Sequence, residues 1–360
     1  RDTRGDINIE EAADDDIEAL SELYDPVLLI NQDYKKQKRE ELNVNTALSW
    51  TINKMFSWKS EFGIQTSDRK IERYYGPITY TGRKNAGKPV AEIQSQERPR
   101  WRTAHTLNFK LRNLKGIHSL SAVAGFEAMS EENRSIISSS RMFPEDFTPQ
   151  KAFDRMQSGS TEYTITNNGA DTRLASFFGR ANYTLKDRYL FTATVRADGS
   201  TKFAPGNQWG IFPSAAFAWR ISSEPFLKNV SQIDDMKIRL SYGEAGNNRI
   251  DNDMWRRTYV GAITSPVAGV GNVPNLYYEN TSSTLINPSL KWETTITRNF
   301  GIDYSFFNNR LSGTIDFYWN TTKDLLLKSV VPASSGYNDQ LRNIGQTSNR
   351  GFEFSITGQL

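Results

Sequence analysis

The sequence predicts an all-β chain whose strands build the wall of an antiparallel, up-and-down transmembrane β-barrel. Three observations predict it. Apolar and polar residues alternate with period two over segments of about ten residues, the length a strand needs to cross a bilayer and longer than the usual strand of a soluble sandwich. The apolar faces carry aromatics near their ends, and aromatics make up 12% of the chain, which suits interfacial girdles. Short connections alternate with long ones, as periplasmic turns alternate with extracellular loops.

The clearest segments lie between Leu174 and Arg220. Ala175, Phe177, Gly179, Ala181, Tyr183 and Leu185 share one face, opposite Ser176, Arg180, Asn182 and Thr184. After Lys186-Asp187, Tyr189, Phe191, Ala193, Val195 and Ala197 face away from Arg188, Thr192, Thr194, Arg196 and Asp198. Trp209, Ile211, Ala215, Phe217, Trp219 and Ile221 form a third apolar face.

Taken in order, residues 1–24 are acidic and irregular, and Asp14-Asp15-Asp16 before Ile17, Leu20 and Leu23 opens a short helix. Residues 1–41 are read as an irregular segment leading into the wall, and 42–360 as the wall itself. Leu42, Val44, Thr46, Leu48, Trp50 and Ile52 share a face; a turn at Asn53-Lys54 leads to Phe56, Trp58, Phe62 and Ile64. Residues 67–99 are polar and read as a long loop. Trp101 to Arg112 and Leu120 to Ala128 are strands about a turn at Asn113 to Gly116, and a second long loop covers 130–173. Beyond the three central strands, Met236, Ile238, Leu240 and Tyr242 oppose Lys237, Arg239 and Ser241. The longest loop covers 244–290. Trp292 to Phe306 and Leu311 to Asn320 make a hairpin, and Phe352, Phe354 and Ile356 open one more strand.

That is about eleven strands. An open sheet in lipid leaves unpaired N–H and C=O groups, each costing several kcal/mol, and bacterial single-chain barrels have even strand counts. The chain is therefore expected to be part of a larger barrel. Arg1-Asp2-Thr3-Arg4 does not open a signal peptide. Two residues strain the pattern. Pro213 removes a ladder donor inside a strand and predicts a bulge near the extracellular rim. Arg298 falls on the apolar register of Trp292, Ile296, Phe300 and Ile302, where mid-bilayer placement costs about 2–4 kcal/mol; it predicts a rim position or a preceding bulge.

Bulk properties exclude other classes. A net charge of +3 over 360 residues gives no argument for nucleic acid. No cysteine is present, so neither a disulfide framework nor thiolate chemistry exists, and His105 and His118 alone do not make a His-rich metal site. No apolar run of about twenty residues encodes a transmembrane helix. A mean hydropathy of −0.60 is compatible with a barrel, whose strands turn only alternate residues to lipid.

RADGS (Arg196 to Ser200), WGIFPS (Trp209 to Ser214), SYGEAGN (Ser241 to Asn247), NPSLKWETT (Asn287 to Thr295) and FFNNRLSGTIDFYWNTTKDLL (Phe306 to Leu326) resemble the barrel of the SusC/RagA family of TonB-dependent outer-membrane transporters. YDPVLLINQDYKKQKRE, from Tyr24, resembles the family's approach to a barrel strand. The similarity extends from about Asp25 to the end. It implies a wall of about twenty-two strands, of which this chain is about half, with the plug domain absent from it. It also implies energised import of a bulky nutrient, an oligosaccharide or peptide, across a bacterial outer membrane. The implied partners are a SusD-like lipoprotein over the extracellular loops, TonB acting through the plug, membrane lipid and other envelope proteins. No enzyme activity, cofactor or metal is implied.

Candidate chemistry is sparse. Asp251, Asp253 and Trp255, with Tyr277 and Tyr278 in NLYYEN, place stacking rings and hydroxyl-binding carboxylates in the longest loop. They are candidates for substrate contact; the alternative is that these aromatics pin the loop to its neighbours. No EF-hand pattern accompanies them. Glu131-Glu132 and Glu145-Asp146 lack a partner base. His105 sits in a strand pattern and reads as a lumen or rim side chain rather than part of a serine triad. Five sequons, at Asn133, Asn182, Asn229, Asn280 and Asn320, fit coincidence in an Asn- and Thr-rich chain, and Asn182 and Asn320 read as lumen-facing. Arg180, Arg196, Arg220, Lys237 and Arg239 lie on the wet face, where the resemblance puts the plug. Three rivals remain: a siderophore or cobalamin receptor on the same architecture, a barrel subunit of a larger secretion or surface-assembly complex, and a soluble carbohydrate-active β-enzyme.

Overall fold

The computed structural model describes residues 30, 32–114, 117–227, 230–257, 259–261, 278–280 and 282–359, with side chains at all of these except 113, 259–261 and 278–280. The acidic helix expected at Asp14 lies outside them. The strands are β1 (Asp33–Thr51), β2 (Phe56–Tyr75), β3 (Val90–Glu97), β4 (Arg100–Leu114), β5 (His118–Glu131), β6 (Arg134–Arg141), β7 (Ser160–Asn168), β8 (Thr172–Leu185), β9 (Tyr189–Ser200) and β10 (Trp209–Arg220). They continue with β11 (Ile233–Asn247), β12 (Tyr259–Gly261), β13 (Tyr278–Asn280), β14 (Thr284–Leu285), β15 (Glu293–Phe306), β16 (Leu311–Lys323), β17 (Leu326–Val330), β18 (Asp339–Asn343) and β19 (Gln346–Gly358). Among the described residues no helix is long and apolar enough to cross a membrane, which says nothing of strands.

The chain divides into two units. The smaller takes residues 33–44 and 64–75 of β1 and β2 together with β3, β6 and β7, in the order β1-β2-β3-β6-β7. Tyr74, Ala91, Phe143, Ala152 and Phe153 form its core. Two short helices, α1 (Tyr80–Lys84) and α2 (Pro149–Asp154), start at Thr79 and Thr148, whose hydroxyls accept from Gly82 N and Lys151 N. Residues 67–99 and 130–173 are thus not loops throughout: β2 runs on to Tyr75, and β3, β6 and β7 occupy much of the rest. β1 likewise starts at Asp33 rather than Leu42. Apolar residues here are few and irregularly spaced, Ile71, Tyr74, Val90, Ala91 and Ile93 among them, so the stretches carry no sustained period-two signal.

The larger unit is the expected wall. It runs β1-β2-β4-β5-β8-β9-β10-β11-β15-β16-β19, and these are the eleven strands that alternation picks out. Register aligns Tyr183, Phe191, Phe217, Leu240, Phe300, Phe317 and Phe352 in one row across seven strands. No described residue covers that face: Ile211 is 67% exposed and Phe352 57%. Ladders of this length leave apolar rows exposed only where lipid or a partner replaces water.

The short turns gather at one end of these strands. Lys186 and Asp187 both have positive φ (53° and 54°), as do Phe307, Asn308 and Asn309 (58°, 57° and 60°), the geometry of turns that match strand twist. Asn53 Oδ1 accepts from Met55 N and Phe56 N, each at 2.8 Å. The connection from β10 to β11 is pinned by Glu224, 6% exposed. Its carboxylate accepts from Tyr189 Oη at 2.6 Å, Trp219 Nε1 at 3.0 Å and Arg188 Nη1 at 2.9 Å. The Tyr189 hydroxyl first, then Trp219, hold this carboxyl below the usual glutamate range. A depressed folded pKa contributes stability above the unfolded value of about 4.3 and loses it as pH falls through the folded one. We expect wild type to unfold at higher temperature than Glu224→Gln at neutral pH, with the gap closing below about pH 4. Parallel melting profiles across that range would refute the assignment.

Pro213 corrects one expectation, and Arg298 loses one of its two alternatives. The β9–β10 ladder passes through Pro213, opposite Val195, without a bulge, whereas β10–β11 pairing covers Ser214 to Arg220 and stops at the proline. The missing N–H therefore costs no ladder bond to β11. Arg298 sits in unbroken register between Tyr242 and Trp319, so no bulge precedes it. Its guanidinium lies 5.9 Å and 5.2 Å from those two ring centroids.

Candidate functional site

The polar face of the wall is a set of ionic clusters. Arg239 on β11 donates from Nε to Asp303 Oδ1 on β15 at 2.9 Å and from Nη2 to Asp316 Oδ1 on β16 at 3.1 Å. Lys237 Nζ lies 2.6 Å from Asp303 Oδ2. Arg239 reaches two strands across because Gly301 stands between: a Cβ there would come within 2.5 Å of Asp316 Oδ1 and 2.6 Å of Arg239 Nη2. Towards the long-loop end, Arg196 Nε lies 2.8 Å from Asp198 Oδ1, and its Nη2 donates to Ser176 Oγ at 2.9 Å. Glu127 lies 3.7 Å from Arg196 and 2.8 Å from Arg102. Arg220 is near the short turns, 3.8 Å from Asp235.

Four of the five wet-face cations expected from sequence, Arg196, Arg220, Lys237 and Arg239, thus meet carboxylates of the wall itself. Arg180 does not. It donates from Nε to Asn182 Oδ1 at 3.3 Å and has no acidic partner among the described residues. Asn182 also bridges Ser121 and Thr192, on the wet face as expected. Of the acids, Asp198 is on the wet face as the sequence places it, whereas Asp303, Asp316 and Glu127 are additions; their shared parity with the cations was the available signal.

At the long-loop end, Phe203, Phe212, Ile250, Leu290 and Trp292 form a buried cluster. Trp292 Nε1 donates to Gln208 O at 2.9 Å, and its ring lies 5.4 Å from Phe203 and 5.5 Å from Phe212. Phe212 crosses Gly246 so closely that a Cβ there would stand 2.1 Å from its Cζ. Segment 249–256 hangs from this cluster through Ile250 and Met254, and Lys202 Nζ donates to Ile250 O at 2.7 Å. Of the loop candidates, Asp251 is exposed. Asp253 has φ 63° and pairs with Arg256, whose guanidinium sits 5.8 Å from the Trp255 ring. Those two side chains hold their own turn. Tyr277 lies outside the described residues, as does the Tyr278 side chain.

His105 falls on the apolar register rather than the wet one, 5.9 Å from the Trp58 ring. Its Nδ1 lies 2.8 Å from Ser60 Oγ and its Nε2 3.1 Å from Thr103 Oγ1. The ring is held by two hydroxyls, with no carboxylate in contact among the described residues, so among these the serine–histidine pair lacks the third member that would orient a base.

A family model described as TonB dependent receptor-like, beta-barrel, matches residues 4–360. The TonB-dependent receptor SusC of Bacteroides thetaiotaomicron is 39% identical over 221 residues, covering 59% of this chain and 21% of that protein. TonB-dependent receptor P26 of Formosa agariphila is 32% identical over 311 residues, 85% of this chain and 30% of that protein. Among solved structures, the RagAB peptide transporter matches with a TM-score of 0.76 at 24% identity, over 91% of this chain and 35% of that one; this likeness is one of fold. The chain spans less than a third of the length of these two curated relatives.

Proposed function

The chain belongs to the SusC/RagA-like TonB-dependent receptors, and from that premise we propose that it forms part of the wall of an outer-membrane importer of a bulky nutrient, an oligosaccharide or peptide. In this reading a SusD-like lipoprotein closes over the long loops, and TonB works through a plug supplied outside these 360 residues. The wall contributes shape, loops and an ionic lining, and performs no chemistry of its own.

The observation that carries the reading is the inversion of the two faces. The row through Phe191, Phe217, Phe300 and Phe352 is unpartnered, while the charged face neutralises itself through Arg239, Asp303 and Asp316. A water-soluble sheet buries the first and exposes the second; a membrane wall does the reverse. Arg180, without a carboxylate of its own, is the wet-face cation we assign to the plug or the cargo. Asp251 is the loop carboxylate best placed for cargo.

The chain contains no cysteine, so single cysteines report cleanly on these 360 residues. In whole cells, Phe191→Cys and Val195→Cys should resist a water-soluble maleimide until detergent is added. Thr194→Cys and Arg180→Cys should react once the lumen is accessible. Uptake should cease in cells lacking TonB. Ready labelling at Phe191→Cys in the intact membrane would overturn the reading.

A further inference from the structure

The apolar face carries a feature that a plain lipid-facing wall does not need. In the row next to the aromatic one, register aligns Ala181, Ala193, Ala215, Tyr242, Arg298, Trp319 and Arg350. The alanines lie beside the rings of Phe191 and Phe217, and together with them line a recess of about 1200 Å³ that runs on past Arg298 and Trp319 to Arg350. Two guanidiniums on a lipid-facing register are expensive at the bilayer midplane and become cheap only near its interfaces. Neither has an acidic partner among the described residues, and Arg298 Nη1 is buried with no hydrogen-bond acceptor. Trp319 stands between them, its Nε1 donating to Ser348 Oγ at 3.0 Å. The nearest acid on this face is Glu244, whose carboxylate accepts from Tyr242 Oη and offsets only part of the charge.

Depth fixes where this cluster lies. At about 3.4 Å per residue, Arg298 stands about 27 Å along β15 from the hairpin end at Phe306. At a tilt of about 40° that is about 20 Å above the short turns, close to the far edge of an apolar band about 25 Å tall. The two arginines are thus at the long-loop rim. Their strands are two apart, about 10 Å, within reach of two arginine side chains closing on one anion.

We propose that this recess binds a phosphorylated lipid of the outer leaflet, its acyl chain lying over Ala193 and Ala215 and its phosphate held between Arg298 and Arg350. Guanidinium–phosphate pairing is charge-assisted and bidentate, and no carboxylate among the described residues competes for either guanidinium. The aromatic rings on either side of Arg298 orient the fork towards the membrane. This site rests on the reading that the apolar face meets lipid.

The test is native mass spectrometry of the intact protein extracted in mild detergent from its own membrane. Wild type should retain a phosphorylated lipid, which phosphatase-treated lipid from the same membrane fails to replace. Inorganic phosphate alone should not bind, because the acyl chain supplies the rest of the contact. Retention should fall about tenfold in R298Q/R350Q and persist in R298K/R350K, which keeps the charge. Equal retention in R298Q/R350Q, equal retention of dephosphorylated lipid, or a lipid-free dimer through this face would overturn the proposal. Failure of the membrane reading shows separately: Phe191→Cys then labels in intact cells, whereas a failed lipid site leaves that residue protected.

Discussion

Gly301→Ala is expected to destabilise the wall, against the sign that strand propensity gives. Glycine inside a strand ordinarily costs roughly 0.5–1 kcal/mol relative to alanine, so a neutral site would gain from the change. At this position a Cβ would stand 2.5 Å from Asp316 Oδ1, 2.6 Å from Arg239 Nη2 and 2.7 Å from Arg239 Cζ. The side chains can move aside, but only by giving up the Arg239–Asp316 contact that spans β11 to β16. Losing a hydrogen bond to a charged group costs about 1.5–3 kcal/mol, and that exceeds the propensity gain. The expected result is an unfolding midpoint lowered by a net of about 1–2 kcal/mol, read in detergent by denaturant titration and by the heat-dependent shift of barrel proteins on gels. Gly301→Val should be worse. Asp316→Ala should make the glycine change less harmful, because the pair is then already broken, which is a coupling a double-mutant cycle measures. An unchanged or raised midpoint for Gly301→Ala would show that Arg239 needs no open path across β15.

The strands of the wall were legible because each has one face in a single environment, and period two follows from that alone. β3, β6 and β7 were not legible, since sequences such as Arg134–Arg141 and Ser160–Asn168 are short and hold only two large apolar residues each, too few to show a period. The upstream part of β1 hides for a related reason: it carries like-face charge pairs, with Lys38 Nζ 2.7 Å from Glu40 Oε1, in place of an apolar stripe. The site was half legible. Basic residues of the wet face stood out, whereas the acids that meet Lys237 and Arg239 lie on other strands, and only register shows that Arg239, Gly301 and Asp316 form one line. Arg298 stood out as a cation on the wrong face, yet its flanking rings, Tyr242 and Trp319, are set by pairing and cannot be counted off along the chain. The motifs that carry the family resemblance prove to hold structure together: WGIFPS, SYGEAGN and NPSLKWETT supply Phe212, Gly246, Leu290 and Trp292 to one buried cluster and the glycine path beside it.

That cluster sets the second large effect. Trp292→Ala removes a side chain that is 8% exposed, contacts Phe203 and Phe212, and ties the Gln208 carbonyl. Large-to-small changes of this kind cost about 3–5 kcal/mol when the site cannot collapse, and collapse is resisted here because Phe212 is mounted on β10 and Trp292 immediately precedes β15. The loss falls on the long-loop end rather than on the ladders, because β15–β16 pairing begins beyond the cluster at Thr294 and Lys323. The variant should therefore remain a folded, heat-modifiable barrel protein while segment 249–256 loses its anchor at Ile250 and becomes open to protease. Trp292→Phe, which keeps a ring against Phe203 and Phe212 but drops the Nε1 donor, should cost about 1–3 kcal/mol and stay largely resistant. If the loop positions the cargo, uptake falls with protease resistance across the two variants while the protein's level in the membrane does not. Proteolysis spread evenly over the chain, or a loop that stays intact in Trp292→Ala, would mean that the cluster does not hold the loop in place.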